Sequence, residues 1–370
     1  MMPTIACGAN HSVALFSDNT VRCWGDNQLN NQCDPVHLTF TDVIQIACGY
    51  NHSVALFSNG TVQCWGSDSM NQCDLVHRTY TNVIQVVCGY FHSVALCSDG
   101  TIQCWGFNHY NQCDPVHHTF TNVIQVACGR HHSVALLSDG TVRCWGNNEY
   151  NQCDIVHLTF TDVIQIACGS AHSIALFSNG TIQCWGENKW NQCNPLHRTF
   201  TNVIQIASYC HHSVVLFLDG TVRCWGGDDC NTAPFAFTNA IQVVCSSYHA
   251  VALLSNGTIR YWRHNGFNRF VQPSFTNVIQ VACGLHHAVA LLSDGTVQCF
   301  GDDLFNQCDS VHVAITNAIH VTCGYFYTVA LCSDGTVKCW GDNHHNQCDP
   351  IHGDIRNVMM PYYTTDCMLW

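Results

Sequence analysis

One feature decides what this chain can fold into: a unit of about 40 residues recurs nine times along its 370 positions. A landmark histidine before Ser-Val-Ala-Leu or a close variant stands at His11, His52, His92, His132, His172, His212, His249 and His287, with Tyr327 in the ninth place. Successive spacings are 41, 40, 40, 40, 40, 37, 38 and 40 residues. The aromatic of an aromatic-Gly step keeps pace at Trp24, Trp65, Trp105, Trp145, Trp185, Trp225, Phe300 and Trp340, with Trp262 before an arginine. A fixed period of this length signals a solenoid, propeller or array rather than separate domains. Residues 1–370 therefore read as one repeat domain, with units beginning near 4, 43, 83, 123, 163, 203, 240, 278 and 318. Residues 353–370 read as a tail in which Asn357-Val358-Met359 imitates the start of a tenth unit, available to close a ring.

Each unit reads as β-structure. Val83-Ile84-Gln85-Val86-Val87-Cys88 is rich in β-branched residues and bounded by Gly89. The runs on either side of Asp99-Gly100, or of Asn59-Gly60, carry the strongest short-range hairpin signal. A two-residue turn at Asn59-Gly60 predicts that Phe57 faces Val62, Ala55 faces Cys64 and Val54 faces Trp65. It places Phe57, Ala55, Val62 and Cys64 on one face and Val54, Leu56 and Trp65 on the other. Both faces are apolar, so copies of the unit must cover one another. A weaker fourth run, Val116 to Thr121, suits an edge strand. No 3.6-residue periodicity persists, and Gly or Asn-Gly interrupts every unit. The fold expected is all-β: a β-propeller of about nine repeats, each of three to four antiparallel strands, closed with seven to nine blades or open as a β superhelix.

The run Cys-Gly-x-x-His-Ser-Val-Ala-Leu-x-Ser-Asp-Gly-Thr-Val-x-Cys-Trp-Gly-x-Asn-x-x-Asn-Gln-Cys resembles the regulator of chromosome condensation repeat over nearly the whole chain. The resemblance implies a propeller of four-stranded blades, seven in that family. Where the family ends its motif Gly-Gln-Leu-Gly, this chain has Asn71-Gln72-Cys73-Asp74.

Composition narrows the function. Twelve Lys and Arg against 25 Asp and Glu give a net charge of −13, which disfavours nucleic acid and an anionic membrane surface as partners. The N-terminus has no basic stretch followed by an apolar one, and no apolar run is long enough to span a bilayer. An intracellular, non-secreted and cytoplasmic rather than nuclear setting is expected, with most of the 28 cysteines as thiols. Three cysteines per unit, an odd number, disfavour a self-contained disulfide scheme. Cys-x3-His recurs at Cys33/His37, Cys73/His77, Cys113/His117, Cys153/His157, Cys193/His197, Cys308/His312 and Cys348/His352. Each supplies at most two ligands where a structural zinc needs four, so neither metal nor cofactor is expected. No phosphate loop, nucleophile elbow or His-Glu-x-x-His occurs, so no enzyme is expected.

The repeated His52, His92 and His132 read as structural hydrogen-bonding groups, and Trp65, Trp105 and Trp145 as packing between units. Function is sought where units differ: before the landmark histidine, and after Trp-Gly. These two places lie at one end of each hairpin, opposite the constant Asp-Gly turns. The rim so defined presents Tyr50, Tyr90, Phe91, Tyr110, Tyr150, Trp190, Phe305, Tyr325 and Phe326 among Glu149, Glu187, Asp302 and Asp303. Aromatics anchor protein interfaces, and acids favour a basic partner. Units six and seven are shortened and carry Arg260, Arg263 and Arg269, a second place where an acidic ligand could sit. The function expected is a non-enzymatic protein-interaction scaffold. The resemblance also implies two alternatives: guanine-nucleotide exchange on a small GTPase, or substrate recognition beside a ubiquitin ligase. No unit carries an inserted loop, and the chain has no room for a HECT-type catalytic domain.

Overall fold

The computed structural model describes residues 5–16, 21–26, 33, 40, 42–73, 80–113, 120–154, 160–193, 200–227, 238–263, 274–301, 303–308 and 315–348. Among these residues the chain forms nine antiparallel sheets of three strands each, every sheet built from consecutive strands. In the second sheet the strands are Val43–Cys48, His52–Phe57 and Val62–Gly66, and the other eight repeat this plan. The sheets begin at Ile5, Val43, Val83, Val123, Val163, Val203, Ala240, Val278 and Ala318. This is the blade architecture of a β-propeller, as the repeat predicts. The fourth run expected at residues 116–121 lies mostly outside the described residues, as does the tail at 353–370.

The hairpin register differs by one from the expected one. Leu56 pairs with Val62, Ala55 with Gln63, Val54 with Cys64 and Ser53 with Trp65. The loop has three residues, not two: Gly60 N donates to Phe57 O at 2.9 Å, and Phe57 N donates to Thr61 O at 2.9 Å. In this loop only Gly60 takes a positive φ, 79°, so the turn is the three-residue kind that ends in a left-handed glycine. Asn59 keeps an ordinary φ because its Oδ1 accepts from the Thr61 N–H at 3.0 Å and from the Thr61 hydroxyl at 2.7 Å. The shift re-sorts the faces. Val54 and Leu56 now stand with Val62 and Cys64, and together they pack on Val83, Val86, Ala95 and Trp105 of the next sheet. Each fully buried aliphatic there stabilises the stack by roughly 1.5–3 kcal/mol.

The described residues fall into two compact units. One holds the sheets that begin at Val278, Ala318, Ile5, Val43 and Val83; the other holds those beginning at Val123, Val163, Val203 and Ala240. Within the first unit, Val329, Leu331 and Val337 of the ninth sheet share a core with Ile5, Phe16 and Trp24 of the first. Within the second, Val134, Leu136 and Val142 pack on Ile166, Ala175 and Trp185.

The polar letters of the repeat join sheets as well. Gln45 Nε2 donates to Val86 O at 2.9 Å, and Val86 N donates to Gln45 Oε1 at 3.0 Å. Gln165 bridges to Ile206 in the same way at 3.4 and 3.2 Å. Each such amide acts as one rung of a strand ladder between first strands that do not pair along their length. The step before it is a β-bulge, at Val43/Gln45, and it turns Ile44 outward.

Candidate functional site: the variable rim

His11, His52, His132, His172 and His287 each bond a hydroxyl of the following sheet in their own unit rather than forming a site. His52 and His132 are fully buried, and their Nε2 atoms bond the Ser93 and Ser173 hydroxyls of the following sheets at 2.8 Å. Ser93 also contacts Cys88 Sγ at 3.5 Å, linking ring, hydroxyl and thiol in one buried chain. Burial lowers the His52 pKa to about 3 and those of His11 and His132 to about 4. These rings are neutral at physiological pH. His92 is equally buried, and Trp65, Trp105 and Trp145 lie in the core.

The rim is built in two layers. Nearest the hairpins, the residue after each Cys-Gly joins its counterpart through the backbone. Tyr50 N donates to Tyr90 O at 3.0 Å, Ala9 N to Tyr50 O at 3.3 Å, and Leu285 N to Tyr325 O at 2.9 Å. Ser67 N donates to Asn51 O at 2.8 Å, which brings both variable places to the same end of the hairpin. The outer layer is the segment after Trp-Gly, held by the Asn-Gln-Cys letters. Asn148 Oδ1 accepts from Cys153 N at 2.8 Å. Buried Gln152 takes the Tyr150 N–H on its Oε1 at 2.8 Å and donates to Asn147 Oδ1 at 2.6 Å. Its own carbonyl accepts from Trp185 Nε1 at 3.0 Å. Asn151 takes a φ of 60°, which suits asparagine better than most residues. Constant residues thus fix a loop whose tip is free to vary.

In the first unit the variable aromatics form a network. Tyr50 stacks on Tyr90 with centroids 5.6 Å apart, and meets Phe91 and Tyr325 at 5.7 Å each. Tyr325 continues to Phe326 at 6.5 Å, and Phe326 meets Phe305 at 5.0 Å and stacks on His286 at 5.4 Å. All of these except His286 are among the aromatics expected on the rim. His286 and Phe107, which meets Phe91 at 6.4 Å, join them; both stand at the two variable places but are not among the expected rim residues.

In the second unit Tyr110 lies 5.4 Å from His131, and Lys189 Nζ sits 5.0 Å over the Trp190 ring. Tyr150 is 45% exposed. The expected acids have unequal roles. Glu149 is exposed. Glu187 is buried and committed to Gln192 at 3.1 Å and His211 at 3.3 Å. Asp303 is exposed, yet its Oδ1 accepts from Cys308 N at 2.7 Å. Asp302 lies outside the described residues. Of the arginine group, Arg260 and Arg263 stand opposite Ala252 and His249 on strand Ile259–Arg263, while Arg269 lies outside the described residues. The histidines of the Cys-x3-His pairs also lie outside them, and no group of three His, Cys, Asp or Glu suited to a metal occurs among the described residues.

Three-stranded sheets that stack within each unit and share one set of constant side chains define a β-propeller-type repeat protein with a variable rim. A family model for the regulator of chromosome condensation (RCC1) repeat matches residues 4–32, 43–72, 83–112, 123–152, 163–192, 278–307 and 318–347, together more than half of the chain. The chain belongs to that repeat family. No curated protein matches it significantly. Among solved structures, human WBSCR16 is 22% identical with a TM-score of 0.49, covering 79% of this chain and 87% of its own. Prp20p of Saccharomyces cerevisiae, described with its binding to Gsp1p and histones, is 19% identical with a TM-score of 0.47, covering 85% of each chain. No helix among the described residues is long and apolar enough to cross a membrane.

Proposed function

We propose that the chain is a non-enzymatic protein-interaction scaffold that captures its partner on the variable rim. The observation carrying this reading is the aromatic network of Tyr50, Tyr90, Phe91, Tyr325, Phe326 and Phe305 on loops whose backbone is fixed from below. Aromatic clusters on a rigid frame are the usual anchors of protein interfaces. The net charge of −13 favours a basic partner and speeds its approach. A cytoplasmic setting suits a chain carrying so many thiols.

The test is affinity capture with the full chain, compared with a Tyr150→Ala/Trp190→Ala double variant and a Tyr50→Ala/Phe91→Ala double variant. A partner lost by at least one variant, while both stay folded, supports the reading. Equal capture by all three proteins sinks it. A nucleotide-release assay across small GTPases separates scaffolding from guanine-nucleotide exchange, which predicts accelerated release.

A further inference from the structure

The sulfur atoms of two cysteines in a unit repeatedly meet. Cys64 on the third strand of the second sheet lies 2.8 Å, Sγ to Sγ, from Cys73 of the Asn-Gln-Cys segment. The same relation holds for Cys23 and Cys33 at 2.8 Å, Cys144 and Cys153 at 3.2 Å, and Cys339 and Cys348 at 3.3 Å. All are thiols. The arrangement is specific to one pair per unit: the third cysteine is buried beside a serine, as with Cys48 and Ser53 at 3.5 Å or Cys168 and Ser173 at 3.6 Å. An odd number of cysteines per unit therefore does not prevent pairing within it.

We propose that these pairs are redox sites that close as intra-loop disulfides when they meet a disulfide oxidant of the glutathione type. A bridge needs the sulfurs to approach to about 2.05 Å, a movement of roughly 1 Å, well within a side-chain rotation. A shared zinc fits less well. Two bonds of about 2.3 Å at a tetrahedral angle hold sulfurs roughly 3.7 Å apart, and two further ligands are required. Burial raises the thiol pKa of Cys64, Cys144 and Cys339 well above the ordinary value, which keeps them protonated. Cys64 also donates to Gln72 O at 3.1 Å, and Cys144 to Gln152 O at 2.9 Å.

One cysteine of the pair attacks first. Its thiolate displaces one glutathione thiolate from glutathione disulfide and leaves a mixed disulfide on the protein. The other cysteine, giving up its proton, then attacks the protein-side sulfur and expels the second glutathione thiolate. The pair loses two electrons to glutathione disulfide, and its two protons go to the two expelled thiolates. Each bridge encloses one variable tip: 67–70 lies between Cys64 and Cys73, and Tyr150 between Cys144 and Cys153.

The experiment uses the full chain, reduced and then exposed to glutathione disulfide. Remaining thiols are blocked under denaturing conditions, and peptides are mapped without reduction. The proposal expects Cys64–Cys73, Cys144–Cys153 and Cys339–Cys348 cross-linked peptides, with Cys48 and Cys168 recovered as blocked thiols. Oxidation should also raise the thermal midpoint. Recovery of the three pairs as blocked thiols, or as glutathione adducts that never close, overturns it. So does cross-linking of Cys64 to another unit at equal yield with and without Cys73→Ser. Protection of every pair by prior incubation with zinc alone would assign them to metal instead. The wild-type map decides the matter even if the variant does not fold.

Discussion

Tyr327 donates its phenolic hydroxyl to the carbonyl oxygen of His11 at 2.6 Å, and takes the Ser12 hydroxyl at 3.0 Å. The ninth sheet is thereby bonded to the first by a side chain that replaces the landmark histidine. Tyr327→Phe removes both bonds in a fully buried place while keeping the ring. His11 O retains the Gly8 N–H at 2.8 Å, so the loss should be about 1–3 kcal/mol. A urea titration followed by tryptophan fluorescence measures it; an unshifted midpoint would show that the two sheets do not depend on this bond.

Gly49 allows the ring of His52 to lie against the backbone. A methyl at that position would sit 2.2 Å from His52 Cε1 and 2.7 Å from Gly89 O. Gly49→Ala should therefore destabilise by about 1–3 kcal/mol or more, because the buried ring or the neighbouring backbone must shift to admit the methyl. Leu304→Ala, at an 84% exposed side chain, is the control and should stay within ~0.5 kcal/mol.

Acid should weaken the fold early. His52, His172 and His287 have folded pKa values of about 3, and His11 and His132 of about 4, all lowered chiefly by burial. Unfolded, each titrates near 6.5. The unfolded chain then binds more protons between pH 6.5 and about 4, so stability is complete above 6.5 and falls steadily below it. Each such ring costs about 1.4 kcal/mol per pH unit in that window. The turn carboxylates Asp99, Asp139 and Asp219 are held below their ordinary value by bonds from the threonine two residues on, so they act only below about pH 4. Thermal midpoints should hold from pH 7.5 to about 6.5 and decline from there to 4.5; a plateau down to pH 5 would contradict the buried, neutral assignment.

Gln152→Ala should loosen one rim loop without unfolding the sheet. It strips the acceptor from Tyr150 N and the donor from Asn147 Oδ1, while the main-chain bond to Trp185 persists. Hydrogen exchange at residues 148–151 should accelerate at least tenfold, which corresponds to about 1.4 kcal/mol of lost local protection. Unchanged exchange there would mean the amide is not what orders the tip.

What the sequence makes legible is whatever repeats locally. The period, the three strands and the placement of Asn51 and Ser67 at one end follow from spacing and turn letters, whereas the full burial of His52 does not. The register escapes because Asn-Gly serves two loop types, and only the absence of a positive φ at Asn59 separates them. Gln45 reads as a polar interruption, since its partner Val86 lies 41 residues away. Cys64 and Cys73 read as unrelated thiols because a nine-residue separation says nothing until the loop is folded back. Glu187 looks like a free acid until Gln192 and His211 surround it. In each case the missing information is a contact between elements, which no single run of residues contains.

The glutamine rungs have a consequence for how such a chain changes over generations. Gln45 engages Val86 as Gln165 engages Ile206, by the same atoms and to backbone groups that any residue but proline supplies. A connector that reads only main chain does not register which copy stands next to it. Recombination that drops or adds one whole copy therefore rejoins plug and socket with no compensating substitution. Copy number can drift while the tips diverge independently, so the chain gains new recognition letters without relearning how to stack.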